Sequence, residues 1–128
     1  MCNFFKVMTT EKAKQLSPVT LAFVGDAVYS LYVRSALVEN GDKKLVDLQK
    51  ASCDKVSAHG QNLLLHDVEQ NFTEEEREIF KRGRNAKKST NSKHASVAEY
   101  NASTGFEAVL GFLYLTGNYQ RIAQLLGE

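Results

Sequence analysis

The chain has a single proline, Pro18, and only two cysteines, Cys2 and Cys53. Those cysteines form no CxxC or other metal-ligand spacing, and they make no disulfide framework. A cysteine-ligated zinc site and a disulfide-stapled secreted scaffold are thereby excluded, and a reduced, cytoplasmic setting is expected. No uninterrupted apolar run reaches the ~18 residues needed to span a bilayer. The segment Met1–Lys6 has too little apolar content for a signal-peptide core, so no membrane association is expected. A net charge of +1 gives no global attraction to polyanions, and only local clusters can carry such a role. Long strand-like alternation is also missing. What remains is a helical period of apolar residues along nearly the whole chain, which predicts an all-α bundle of six or seven helices. Its 128 residues suit one domain spanning 1–128, with residues 1–9 as an irregular arm.

Punctuation divides the bundle. A short helical turn is expected near Thr10–Leu16. Ser17-Pro18 supplies an N-cap followed by proline at the first helical position, opening a helix that can run to about Glu39. Asn40-Gly41 ends it with a left-handed cap. Asp42 can cap a helix over Lys43–Lys55, and Ser57 one over Ala58–Gln70. Thr73 and Glu76 form a capping box for a helix near Glu74–Arg84. The acids Glu74, Glu75 and Glu76 match the positive end of its dipole and are read as structural. Ser96 and Glu99 form a second box, opening a long apolar helix over Val97–Thr116. Gly117-Asn118 ends that helix, and a last one covers Tyr119–Leu126.

Two of these helices carry the same anomaly. Between Pro18 and Val38 the only carboxylate is Asp26 and the only cation is Arg34. The two lie about 12 Å apart along a helix, too far for a direct pair. A helix apolar almost all round is normally buried, and a buried charge needs a partner. Asp26 is therefore expected to be buried and to meet a metal, a cation or a hydrogen-bond donor. Between Tyr100 and Gln120 the only charge is Glu107, with Ser103, Thr104, Gly111 and Tyr114 on its side of the wheel. Two buried carboxylates facing each other would repel until one took a proton. A divalent cation between them removes the conflict and favours oxygen ligands of this kind. Either acid alone could instead bond to a helix N-terminus, a tyrosine hydroxyl or a lysine, and periodicity does not make the two helices neighbours.

From Arg82 to Ser96 the texture changes to basic and polar residues with turn formers, read as a loop, with the basic loop proper at 85–95. Arg82, Arg84, Lys87, Lys88 and Lys93 lie within it or at its entrance, with Ser, Thr and Asn donors between them. Such a segment is either a solvated surface loop or a phosphate-contacting one. His59 and His66 are read as surface or satisfied histidines, and His94 has no spacing partner. Gly105 and Gly111 cost helix stability, so close helix packing or space for substrate is expected at them.

The stretch Phe23-Val24-Gly25-Asp26-Ala27-Val28 resembles the signature helix of the ribonuclease III catalytic domain. Thr104-Gly105-Phe106-Glu107-Ala108-Val109-Leu110-Gly111 resembles that family's second acidic helix, in the same order and at a similar separation. Arg82-Gly83-Arg84-Asn85-Ala86-Lys87 ahead of Ser103–Ala108 narrows the likeness to the Mini-III branch. The resemblance runs from about Leu16 to Leu126. It implies an all-α, homodimeric ribonuclease III endonuclease-domain bundle that cuts double-stranded RNA with magnesium, or manganese in its place. The expected products carry a 5′ phosphate and a 3′ hydroxyl. Asp26 and Glu107 would be the catalytic metal ligands, directly or through water. Phe23 sits where the family inserts an aromatic across the dimer interface.

Larger relatives carry two further carboxylates, at the positions of Ala22 and Thr104 here, so fewer protein ligands and more water are implied. They also append a double-stranded-RNA-binding domain, and nothing in this sequence can serve as one. RNA contact is therefore expected from Arg82, Arg84, Lys87, Lys88 and Lys93. The resemblance also implies that the substrate is the stem flanking large-subunit (23S) ribosomal RNA precursors, with pre-ribosomal particle proteins as further partners. The rival readings are a non-catalytic dimeric RNA-binding module and a helical protein-interaction domain.

Overall fold

The structure, a computed structural model, describes residues 4–87 and 96–127. It is all-α: α1 (Thr10–Lys14), α2 (Pro18–Glu39), α3 (Leu45–Val56), α4 (Ala58–Val68), a 3-10 turn over Glu69–Asn71, α5 (Glu74–Asn85), α6 (Val97–Leu115) and α7 (Tyr119–Leu125). The caps read from the sequence are in place. Ser17 accepts from Thr20 N, Ser57 from Gly60 N, and both capping boxes close reciprocally, Thr73 with Glu76 and Ser96 with Glu99. Gly41 and Gly117 take the positive φ that ends α2 and α6. Two boundaries differ. Lys44, not Asp42, holds the N-cap position of α3, without a side-chain bond. The last turn expected of α4 tightens into the 3-10 segment before Thr73 starts α5.

Helix α6 is the axis of the bundle, packed by α2, α5 and α4. From Ser103 to Leu113 every residue is buried except Glu107, which is partly so. What lets neighbours close on α6 is glycine, on two sides. A Cβ built on Gly25 would lie 1.7 Å from the Glu107 carbonyl oxygen, and one on Gly111 would lie 1.9 Å from the Leu21 oxygen. Helices α2 and α6 thus cross backbone against backbone. On the other side, a Cβ on Gly83 would lie 2.8 Å from the Gly105 Cα, and one on Gly105 would lie 2.6 Å from the Phe80 oxygen. Of the two expectations for Gly105 and Gly111, close helix packing is the one found.

The acid-rich start of α5 is tied down by one buried pair. Glu76, 3% exposed, accepts from Arg121 Nε at 2.8 Å and Nη2 at 2.9 Å, and Nη2 also donates to the Asn71 oxygen at 2.6 Å. This fork fastens α7 to the start of α5 and supports a structural reading of Glu76.

Helix α2 corrects the sequence reading most. It is apolar all round, and by length and composition it could cross a bilayer. Yet only one side is buried: Leu21, Ala22, Gly25, Tyr29 and Val33 face α6 and the core. Val19, Phe23, Leu31 and Val38 form an exposed apolar stripe, with Phe23 81% exposed. Asp26 lies on the open side and is exposed, not buried as a uniformly apolar helix led one to expect.

Candidate active site

The Gly25–Gly111 crossing dictates what comes next. Asp26 follows Gly25 directly, and Glu107 stands one turn before Gly111, so the two lone carboxylates meet at the crossing. Asp26 is close enough for its carboxylate to act on the Glu107 carboxyl. The asymmetry of their burial makes Glu107 the perturbed member. Burial first, then the hydrogen bond and negative charge of Asp26, push its carboxyl up to about 8, against a small opposing effect of the Gln61 amide. At neutral pH the metal-free Glu107 therefore keeps its proton.

Around the pair opens a cleft of about 840 Å³, lined by residues of α2, α4 and α6 with Ala86 and Lys87 at one edge. Ala22 and Thr104 also line it, where the resemblance led one to expect carboxylates in larger relatives. Thr104 spends its hydroxyl on its own helix, donating to the Tyr100 oxygen at 3.0 Å, and Ser103 does the same at 2.8 Å. Phe23 stands at the rim, one turn before Asp26.

Among the described residues no cluster of three or more His, Cys, Asp or Glu side chains forms. The donor set at the cleft is two carboxylates with neutral oxygens. That set fits a hard cation such as magnesium, which keeps several waters and takes one or two carboxylates plus phosphate oxygens. It does not fit zinc, which favours three or four nitrogen or sulfur donors.

The basic residues divide. Lys87 is exposed and lines the same cleft as the two acids. Arg82 stays on α5 rather than in a loop, and its guanidinium donates to the Lys14 and Leu16 oxygens at 3.3 Å each, finishing the C-terminal end of α1. Arg84 lies on α5 over the Phe80 ring, 5.6 Å from its centroid, with Nε 3.4 Å from Asn85 Oδ1. Lys88, Lys93 and His94 lie outside the described residues. His59 Nδ1 meets Glu99 Oε2 at 2.6 Å, a satisfied surface histidine as expected.

One residue of the cleft was missed by sequence reasoning. Gln61 on α4 is 2% exposed and its amide donates to Glu107 Oε2 at 3.3 Å. The available signal was its place in the row Gln61, Leu65, Val68, where it is the one polar side chain on the inward face of α4.

Comparison with known proteins bears on the same residues. The profile of the Ribonuclease III domain matches residues 19–118, spanning both acidic helices. A Mini-ribonuclease 3 from Symbiobacterium thermophilum is 44% identical over 87% of this chain and 85% of its own length. One from Streptococcus pneumoniae is 44% identical over 87% of this chain and 88% of its own. A crystal structure of a Fusobacterium nucleatum protein superposes with a TM-score of 0.81 at 31% identity, covering 88% of this chain and 91% of that one. The chain belongs to the ribonuclease III family, in its Mini-ribonuclease 3 group of endoribonucleases.

Proposed function

We propose that this protein hydrolyses phosphodiester bonds in double-stranded RNA with a divalent cation held between Asp26 and Glu107. The observation that carries this is the meeting of the two lone carboxylates at the α2–α6 crossing, in an open cleft edged by a lysine. Magnesium is the expected ion, with manganese able to replace it. When bound, it lowers the pKa of a coordinated water and stabilises charge on the phosphate under attack. The protein's own part is to fix the two acids on crossing helices, so that little reorganisation accompanies the reaction. Glu107, carrying a proton at neutral pH in the metal-free site, must release it to become a ligand.

The duplex enters along the rim, where Lys87 meets phosphate. Arg84, Lys88 and Lys93 are further candidates for RNA contact from the sequence, and Arg82 contributes mainly by holding α1. Phosphate contacts of this kind position a duplex without reading its sequence. The exposed stripe Val19, Phe23, Leu31 and Val38 is the surface on which a second copy packs, giving a homodimer with one cleft per protomer. The setting is the cytoplasm. Stems of 23S ribosomal RNA precursors are the substrate that the Mini-ribonuclease 3 relatives suggest, with pre-ribosomal particle proteins as neighbours.

Incubating the protein with a long RNA duplex, with and without magnesium, tests the reading. Magnesium-dependent cutting to 5′-phosphate ends, lost in Asp26→Asn, is the expected result. A wild type that binds the duplex but never cuts it would leave an RNA-binding module instead.

A further inference from the structure

Gln61 has two hydrogen-bonding ends, and only one is used. Its Nε2 donates to the Val56 oxygen at 2.9 Å and to Glu107 Oε2 at 3.3 Å. The Val56 carbonyl, which can only accept, fixes which end is nitrogen, since the reversed amide would set oxygen against oxygen there. Gln61 Oε1 is thereby left buried with no hydrogen-bond partner, the one such side-chain atom among the described residues. An acceptor stranded in this way costs stability unless something supplies a proton donor. The side chain that bears it lines the same cleft as Asp26 and Glu107.

Waters bound to a cation point their hydrogens outward, so whatever surrounds a hydrated ion must accept hydrogen bonds. Gln61 bears an unpartnered acceptor on a side chain that lines the cleft, and its other end donates to the neighbouring carboxylate. We propose that Gln61 is a positioning residue for the divalent cation, its Nε2 orienting Glu107 and its Oε1 accepting a hydrogen bond from a water of the ion's hydration shell. This rests on the metal reading of the Asp26–Glu107 pair. It also answers how a site with Ala22 and Thr104 in place of two carboxylates keeps its ion. A neutral acceptor on α4, a third helix, takes over part of the work of holding water around it. Outer partners of this kind typically govern metal affinity by roughly 10–100-fold.

The test is Mn2+ binding to the full chain without RNA, followed by electron paramagnetic resonance of the free ion, with Mg2+ as competitor. Gln61→Met keeps the length of the side chain and removes both polar ends. It should bind Mn2+ roughly 10–100-fold more weakly, and its cleavage rate should recover as magnesium is raised. Gln61→Asn keeps the amide but withdraws it by one methylene from Val56 and Glu107, and should also bind Mn2+ more weakly than wild type. Wild-type affinity in Gln61→Met overturns the inference. So does a loss of cleavage in that variant that saturating magnesium leaves unchanged. Should Gln61→Met fail to fold, wild-type Mn2+ affinity in Gln61→Asn overturns it equally. Mn2+ binding that survives Asp26→Asn combined with Glu107→Gln instead removes the metal reading beneath it.

Discussion

Replacing Gly25 by alanine tests how the site is assembled without touching a ligand. The added Cβ would stand 1.7 Å from the Glu107 oxygen, 2.6 Å from its carbonyl carbon and 2.9 Å from Gly111 N. All three are backbone atoms of α6, so no side-chain rotation relieves the clash. Reaching even 3.0 Å from that oxygen requires α2 and α6 to separate by about 1.3 Å, the difference of the two distances. Alanine gains about 1 kcal/mol in helix propensity over glycine. Overpacking of this kind costs about 1–3 kcal/mol or more, and the Gly25 clash, against rigid backbone, belongs at or beyond the upper end. The expected net loss is about 2 kcal/mol, which at roughly 4 °C per kcal/mol lowers Tm by about 8 °C.

Activity should fall further than stability. Asp26 adjoins the displaced residue, and misplacement by about 1 Å can cost on the order of 100-fold in rate. Thermal unfolding by circular dichroism and cleavage of a labelled duplex, assayed well below the variant's Tm, read the two effects separately. An alanine variant as stable and as active as wild type would refute the backbone-to-backbone crossing as the device that joins the acids.

Other outcomes follow from particular residues. The metal-free protein should lose stability as pH rises from about 4.5 toward about 8, because Glu107 keeps its proton longer folded than unfolded. Chemical denaturation across that range, compared with Glu107→Gln, isolates the effect, and a wild type and variant with parallel pH curves would refute it. Magnesium binding at pH 7 should release a proton from the same carboxyl, seen as a buffer-dependent enthalpy in titration calorimetry. Arg121→Ala strands Glu76 and should cost about 3 kcal/mol, the low end for breaking a buried pair, read by urea unfolding. For Glu76 itself, burial raises the pKa, but the Arg121 and Thr73 hydrogen bonds outweigh it and hold the carboxyl below its usual value. Its contribution is therefore present above about 4.5 and is lost as pH falls through its folded value. Phe23→Asp should turn a dimer into monomers in sedimentation, and an unchanged mass would remove the α2 stripe as the interface. Duplex binding should weaken steeply between low and moderate salt, less steeply in Lys87→Ala, as measured by filter binding.

Much of the architecture was legible because it is written locally. Ser17-Pro18, Thr73 with Glu76, and Ser96 with Glu99 are short-range devices, and each starts a helix where its chemistry says it should. The two carboxylates stood out because each is alone on a long apolar helix. What local pattern does not carry is direction. Helix α2 is apolar on its buried side and carries Val19, Phe23, Leu31 and Val38 on its open side beside Asp26 and Arg34, so hydropathy did not mark which way Asp26 faces. Arg82, Gly83 and Arg84 stood where the helix expected to end at Arg84 overlapped the basic stretch starting at Arg82, and local pattern did not choose between the two. In the fold that glycine is the contact with Gly105 that keeps α5 helical through Asn85 against α6. Gln61 escaped notice because an amide among leucines becomes informative only when Glu107 arrives from 46 residues away.

The central claim is that Asp26 and Glu107 act together on one cation. A double-mutant cycle on single-turnover duplex cleavage addresses it directly, using Asp26→Asn, Glu107→Gln and the pair at saturating magnesium. Residues that serve one ion act as a unit, so the double variant should be scarcely slower than the worse single one. Losses that multiply, with each single variant retaining its own share of magnesium-dependent cutting, would contradict the account.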